Sequence, residues 1–218
     1  MSENNNPQET EIEDWTFRIK RPPQLRDQTR VMLLLHGYLG NENVMWILTN
    51  PFPDTHLFIA PRAPVKIGAE QFAWHKITPQ WPGLDMYRKL SDQLLERVEI
   101  WLEDNGIKTD SYDVMGFSQG GVMAYALAFL YPEKINKVAA LASFIPQIWR
   151  SSIDPDGIKN KNFFIAHGSQ DEIIPINKAS ESAKWLEGHQ AKVTFCEADI
   201  GHKLSADCFK GLGNFFNQ

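Results

Sequence analysis

Three residues that can together perform nucleophilic catalysis occur in order along this 218-residue chain. Ser118 lies in the run Gly116-Phe117-Ser118-Gln119-Gly120-Gly121, which fits the pattern Gly-x-Ser-x-Gly, and Asp171 and His202 follow it. A serine hydroxyl is a weak nucleophile that needs an adjacent base, and a carboxylate can fix the tautomer of that base. We therefore predict that Ser118 attacks an acyl carbon, that His202 transfers the proton, and that Asp171 orients His202.

The acid of this set has competitors in the sequence. Glu172 lies beside Asp171, and Asp199 is close enough to His202 along the chain to be its only partner. We prefer Asp171 because it lies closer to the end of a predicted strand. Both alternatives stay open at the level of sequence.

Three other histidines are given structural or surface roles. We interpret His36 and His167, each next to a glycine at a predicted strand end, as holding loops through hydrogen bonds. His75 lies in an irregular segment and is interpreted as exposed, although it could face a pocket. No pair of His, Asp or Cys residues has convincing metal-ligand spacing, so we predict no metal and no cofactor.

Acyl transfer also needs donors for the oxyanion and a wall for the substrate. We predict that the backbone N–H of Gln119, at the start of a helix, is one donor. The second is predicted to be the N–H of Tyr38 in the loop after the first buried strand, with Leu39 as the alternative. Apolar residues in loops near strand ends are predicted to bind the substrate: Leu39, Phe72, Trp74, Trp81, Phe144 and Ile145.

The elements that position these residues can be predicted from apolar periodicity. Residues 15–20 alternate, as a half-buried strand does, and continuous apolar runs predict buried strands that alternate with helices. This order predicts an α/β fold with a mainly parallel sheet and helices on both faces, whose chemistry gathers at the carboxyl ends of the strands. The apolar runs lie at 31–35, 57–60, 112–115, 138–142 and 163–166, and residues 192–196 are predicted to form the last strand.

The remaining segments set the domain boundaries. Polar, acidic residues 1–13 are predicted to be a disordered tail, and 14–218 a single domain. Asn41 is predicted to cap a helix over the apolar residues 44–48. The irregular segment 65–86 could be a pocket wall or only a surface excursion.

Composition narrows the class of function. The net charge of −5 argues against a nucleic-acid binder, and no apolar stretch reaches the roughly 18 residues that a membrane helix needs. We predict no stable membrane insertion. The polar N-terminus resembles no signal peptide, so we predict a cytoplasmic location. Cys196 and Cys208 are predicted to be buried free thiols.

On these residues the chain resembles the phospholipase/carboxylesterase family of α/β-hydrolases, which includes acyl-protein thioesterases. The resemblance runs from about Val31 to the C-terminus, and its Gly-Phe-Ser-Gln-Gly-Gly motif is far more specific than Gly-x-Ser-x-Gly. The chain departs from the family in a longer loop at 36–41 and in Trp74-His75-Lys76, where Trp-Phe-Asp is common. The other matching segments are His36-Gly37, 60–64, 143–146, 167–171 with Pro175, and Gly201-His202.

The resemblance implies an α/β-hydrolase fold with little or no cap domain and the triad Ser118, Asp171 and His202. It implies hydrolysis of carboxylic or thioester bonds without a cofactor. We expect a serine carboxylesterase that acts on small to medium acyl esters through an acyl-enzyme, as a monomer or homodimer. The alternatives are an acyl-protein thioesterase or lysophospholipase activity and, from another class, a non-catalytic binding protein.

Overall fold

An eight-stranded sheet forms the centre of the molecule in a computed structural model, which describes residues 6–25, 29–52 and 56–217. The strand order is β1-β2-β4-β3-β7-β8-β9-β10, and β5 and β6 form a separate small hairpin. The strands are β1 (Gln8–Ile12), β2 (Trp15–Lys20), β3 (Arg30–Leu35), β4 (His56–Pro61), β5 (Val65–Lys66), β6 (Phe72–Ala73), β7 (Tyr112–Phe117), β8 (Ile135–Leu141), β9 (Asn162–Gly168) and β10 (Lys192–Ala198).

Within this sheet, all pairs from β4 to β10 in the given order are parallel, whereas β1 pairs with β2 and β2 pairs with β4 antiparallel. Side chains of a strand point alternately to the two faces of the sheet. In β3, Val31, Leu33 and Leu35 join the core on one face, whereas Met32 and Leu34 join the core on the other. The predicted mainly parallel sheet with buried strands is therefore confirmed.

Helices cover both faces of the sheet. The helices α1 (Leu84–Asp104), α2 (Gln119–Leu130) and α3 (Ile176–Gly188) contribute to the larger core. The helix α4 (Ala206–Asn217) packs on the opposite face with Met45 and Phe52. Because parallel strands share a direction, β7 and β9 deliver the residues that follow them to one edge, between these layers.

Two predictions about local structure are wrong. Residues 8–12 of the predicted disordered tail form β1, which pairs as an edge strand with β2 from Gln8↔Ile19 to Ile12↔Trp15, while 1–5 lie outside the described residues. Backbone pairing, which a polar composition does not reveal, holds this strand. The predicted helix at 44–48 is a 3₁₀ helix at Trp46–Thr49, preceded by a turn in which Asn41 Oδ1 accepts from the Asn43 N–H.

The two cysteines also differ from the prediction. Cys196 at the end of β10 and Cys208 in the first turn of α4 form a disulfide, with their Cα atoms 5.7 Å apart. The fold brings together two residues that the sequence places in separate elements. Disulfides persist mainly in oxidising compartments, and the cytoplasmic location stays a prediction from the N-terminal sequence.

Candidate active site

Ser118 occupies the sharp turn between β7 and α2. Its φ of +53° lies in the left-handed region, which a non-glycine residue adopts only where its surroundings enforce it. Gly116 and Gly120 permit this turn, because a Cβ on Gly116 would lie 2.1 Å from the Gly120 carbonyl oxygen. The Ser118 N–H donates to Leu141 O at 2.8 Å, and Ser143 Oγ donates to Ser118 O at 2.9 Å. These contacts hold the half-buried serine on the tip of the turn.

Asp171 and His202 form a hydrogen-bonded pair. His202 Nδ1 lies 2.7 Å from Asp171 Oδ2, and Asp171 Oδ1 accepts from the N–H groups of Ile173 and Ile174, both at 2.9 Å. Burial raises the pKa of Asp171, but the bonds from Ile174, His202 and Ile173 outweigh it, so the pKa lies below its ordinary value. An ionised carboxylate only accepts, so His202 carries its proton on Nδ1 and leaves Nε2 free as a base.

The structure distinguishes Asp171 from the competing acids. The Glu172 side chain is exposed, and Asp199 accepts from Ser169 Oγ at 3.2 Å. The loops that carry the acid and the base are joined by backbone bonds, because the Ser169 N–H donates to Ala198 O and the Gln170 N–H to Ile200 O. The pair is thus fixed through main chain as well as through side chains.

Two backbone segments are candidates for binding an oxyanion. Gln119 begins α2, so its N–H has no acceptor within the helix. The loop after β3 makes a turn in which the Gly40 N–H donates to Gly37 O at 3.0 Å and Leu39 has a φ of +65°. Tyr38 and Leu39 both line the cavity that Ser118 faces. Either N–H remains a candidate for the second donor.

His36 stabilises the loop after β3 through its ring and its backbone carbonyl. Its Nε2 accepts the Ala63 N–H at 3.0 Å, its Nδ1 lies 2.7 Å from Gly37 O, and its carbonyl accepts from Trp74 Nε1 at 2.7 Å. Burial lowers the pKa of His36, which keeps the ring neutral. The predicted loop-holding role of His36 is confirmed, and that of His167 is confirmed by its bond to Ile174 O.

The Gln119 side chain connects the serine turn to the segment after β6. Its Oε1 accepts the Trp74 N–H at 2.8 Å, and its Nε2 donates to His75 O at 3.0 Å. One residue therefore supplies a candidate oxyanion N–H and fixes the neighbouring aromatic segment.

An open cavity of about 1050 Å³ contains Ser118 and His202 in its wall. The wall is largely apolar, and several of its aliphatic residues are exposed at the rim, which suits an acyl chain. Leu39, Trp81 and Phe144 of the predicted substrate residues lie in it. The apolar wall residues that sequence reasoning missed are Val44, Met45, Ile47, Leu48, Ile77, Phe117, Val122, Ile173, Ile174, Pro175, Leu204, Ala206 and Phe209.

Three predicted substrate residues lie outside this wall, and their assignment is corrected. Trp74 is 1% exposed and supports the His36 backbone instead. Phe72 pairs with Gly40 and lies under the Arg62 guanidinium, and Ile145 is buried in the core. Trp74 and Ile145 are buried, whereas Phe72 is half-buried and is held by its pairing with Gly40 and its contact with Arg62.

His75 also differs from its interpretation, because it is buried against Trp81 and Tyr87 rather than exposed. Burial lowers the pKa of His75.

No cluster of ligating side chains suited to a metal ion occurs within 6–25, 29–52 and 56–217. In the same described segments, no helix has the length and apolarity needed to cross a bilayer.

The family model for Phospholipase/Carboxylesterase matches residues 19–218. The chain belongs to the phospholipase/carboxylesterase family. It is 36% identical to Acyl-protein thioesterase 1 of Saccharomyces cerevisiae, over 89% of this chain and 95% of that protein. It is 28% identical to Acyl-protein thioesterase 1 of Aspergillus fumigatus, over 90% of each. The chain is thus a hydrolase of the carboxylesterase and thioesterase type.

Solved structures identify the fold of this family member. The carboxylesterase from Mesorhizobium loti superposes with a TM-score of 0.81 at 16% identity, over 97% of this chain and 99% of that one. The Bacillus cereus carboxylesterase gives 0.78 at 18% identity, over 94% of each chain. The predicted α/β-hydrolase fold is confirmed.

Proposed function

We propose that this family member is a serine hydrolase that cleaves acyl esters through an acyl-enzyme formed on Ser118. The observation that carries the proposal is the Asp171–His202 hydrogen bond beside a strained serine turn on the wall of one apolar cavity. Ser118 Oγ attacks the acyl carbon while His202 Nε2 takes its proton. His202 then protonates the leaving alcohol, and water repeats the sequence to release the acid.

The Gln119 N–H and the Tyr38 N–H are proposed to bind the oxyanion of each tetrahedral intermediate, with Leu39 as the alternative to Tyr38. Both segments border Ser118, and backbone donors fixed before the reaction need no reorganisation. The mechanism uses groups of this chain alone.

The test of the nucleophile is Ser118→Ala, assayed on a nitrophenyl ester and with a fluorophosphonate probe. We expect loss of turnover and of labelling with an unchanged melting temperature. Ser151→Ala is the matched control, because Ser151 is exposed in the 3₁₀ helix Gln147–Ser152. Turnover by Ser118→Ala, or a wild-type chain that does not react with the probe, contradicts the proposal and favours a binding protein.

The cavity supports acyl chains longer than the small to medium range expected from the sequence. Each methylene buried in its wall contributes about 0.8 kcal/mol, so kcat/KM should rise by up to roughly fourfold per methylene until the cavity is filled. Nitrophenyl esters of increasing acyl length measure this rise. A maximum at acetate would show that the apolar wall does not bind the acyl group.

Thioester hydrolysis is the second candidate, because the relatives at 36% and 28% identity are named Acyl-protein thioesterase 1. The same triad serves both bonds, since only the leaving atom changes. The two candidates are separated by comparing the rates on an oxygen ester, an acyl thioester and an S-acylated peptide that all carry the same acyl chain. A higher kcat/KM on the thioesters favours the second candidate, and the reverse order favours the first.

A further inference from the structure

A second histidine contacts the carboxylate of Asp171. His167 is the next-to-last residue of β9, and both side chains are 0% exposed. His167 Nε2 lies 2.7 Å from Ile174 O and 3.3 Å from Asp171 Oδ2, the same oxygen that receives His202 Nδ1. Two histidines therefore contact the same carboxylate oxygen of Asp171.

The partners of His167 determine which ring nitrogen is protonated. A carbonyl oxygen only accepts, so the 2.7 Å contact with Ile174 O requires a proton on Nε2. Among the described residues, Nδ1 of this buried ring has no hydrogen-bond partner. A proton on Nδ1 would be buried without an acceptor, so the ring donates from Nε2.

The Nε2–H of His167 completes a set of contacts around the Asp171 carboxylate. Ile173 and Ile174 donate their N–H groups to Asp171 Oδ1, while the Ile174 carbonyl accepts from His167. His167 thus holds the turn that presents the carboxylate and lies against the oxygen that faces His202. A shift of this turn would move the hydrogen bond on which the tautomer of His202 depends.

A space-filling role explains the histidine poorly. The ring buries an unpartnered nitrogen, which destabilises the folded protein relative to an apolar side chain of similar size. The stabilising contacts made by the ring all lead to the turn at 171–174. A residue retained only for packing would need neither the Nε2–H nor its alignment with Ile174 O.

We propose that His167 is a positioning residue that holds Asp171 in line with His202, an inference that rests on the proposed role of Asp171 as the triad acid. His167 touches no substrate and does not line the cavity. Its action reaches the reaction only through the carboxylate. Removing its donor should therefore lower kcat and leave KM unchanged.

The test compares two nearly isosteric replacements. His167→Gln keeps an amide N–H near the position of Nε2, and His167→Met fills similar space without a donor. We expect His167→Met to lower kcat by about 2- to 10-fold, the loss typical of one hydrogen bond between neutral groups, with KM within about twofold. His167→Gln should restore most of kcat. His167→Asn, whose shorter amide does not reach, should resemble His167→Met and decides the comparison if His167→Met does not fold.

Equal kcat values for the donor and non-donor variants overturn the proposal, as does a rise in KM that accounts for the loss. Asp171→Asn measured in parallel separates this failure from that of the proposed function. If Asp171→Asn keeps wild-type activity, the triad assignment itself fails. If Asp171→Asn is inactive and His167→Met is as active as wild type, only the role of His167 fails.

Discussion

The substitution Asp171→Asn tests the proposed triad because the surroundings of Asp171 dictate how the amide must be oriented. Two backbone N–H groups, from Ile173 and Ile174, donate to Oδ1 at 2.9 Å. The amide oxygen of an asparagine must take that position, since its NH₂ would face two donors there. The NH₂ then replaces Oδ2 and points at His202 Nδ1, 2.7 Å away.

An NH₂ group in that place reverses the tautomer of His202. Nδ1 must become the acceptor, so the proton moves to Nε2, which can no longer take the proton of Ser118. A wrong tautomer of this kind lowers kcat by about 10⁴-fold, which corresponds to about 5.5 kcal/mol of transition-state stabilisation. The fold should persist, because both backbone bonds of the turn are kept.

The assay is kcat and KM on a nitrophenyl ester, with active-site titration by a fluorophosphonate and a melting curve for each variant. Glu172→Gln is the matched control, since it removes a neighbouring exposed carboxylate, and it should have wild-type kcat. If Asp171→Asn retains more than about a tenth of wild-type kcat, the tautomer argument is refuted. A large loss in Glu172→Gln instead would assign the acid to Glu172.

Three further predictions concern residues around the site. Gln119→Met leaves the Trp74 N–H and the His75 carbonyl without their hydrogen-bond partner. It should therefore lower the free energy of unfolding by about 1–3 kcal/mol and also lower kcat. Urea unfolding and ester turnover measure these two effects, and unchanged values contradict the prediction. The Cys196–Cys208 disulfide joins residues separated by 12 positions, so its reduction should lower the free energy of unfolding by up to about 3 kcal/mol. An unfolding midpoint that dithiothreitol does not change would contradict this prediction. Burial lowers the pKa values of His36 and His75, so below about pH 6.5 the unfolded chain takes up protons that the folded chain does not. Stability should therefore fall as pH decreases, by up to about 1.4 kcal/mol per pH unit for each histidine, and urea unfolding from pH 7.5 to 5.5 showing no such fall would contradict the burial argument.

The sequence places Ser118, Asp171 and His202 after predicted strands, and the structure has a strand before each of them. Strand ends depend on local composition, and the parallel direction of the strands brings their ends to one edge. The same reasoning could not predict the disulfide, because the 5.7 Å separation of its Cα atoms depends on how α4 packs against β10. Local patterns determine which residues reach the edge, whereas packing determines which of them touch.

The substrate wall shows the same limit within a single segment. Trp74 and Trp81 both lie in the irregular segment 65–86, yet only Trp81 reaches the cavity. Trp74 turns inward because its Nε1–H finds the carbonyl of His36 and its backbone N–H finds Gln119. Aromatic content alone could not separate the two, since the acceptors come from other parts of the chain.

The separation of the two tryptophans has a chemical consequence. The contacts of Trp74 join the loop after β3 to the serine turn through His36 and Gln119, so a residue predicted to bind substrate instead connects the two candidate donor segments. Rigid backbone donors stabilise an oxyanion without reorganising, and this requires that both segments be fixed to a common support. Trp74 links the two segments, through its indole N–H to His36 O and through its backbone N–H to Gln119 Oε1, whereas Ile77 and Ile173 are exposed at the cavity rim. The buried link between the candidate donor segments and the exposed rim of the cavity are thus supplied by different residues.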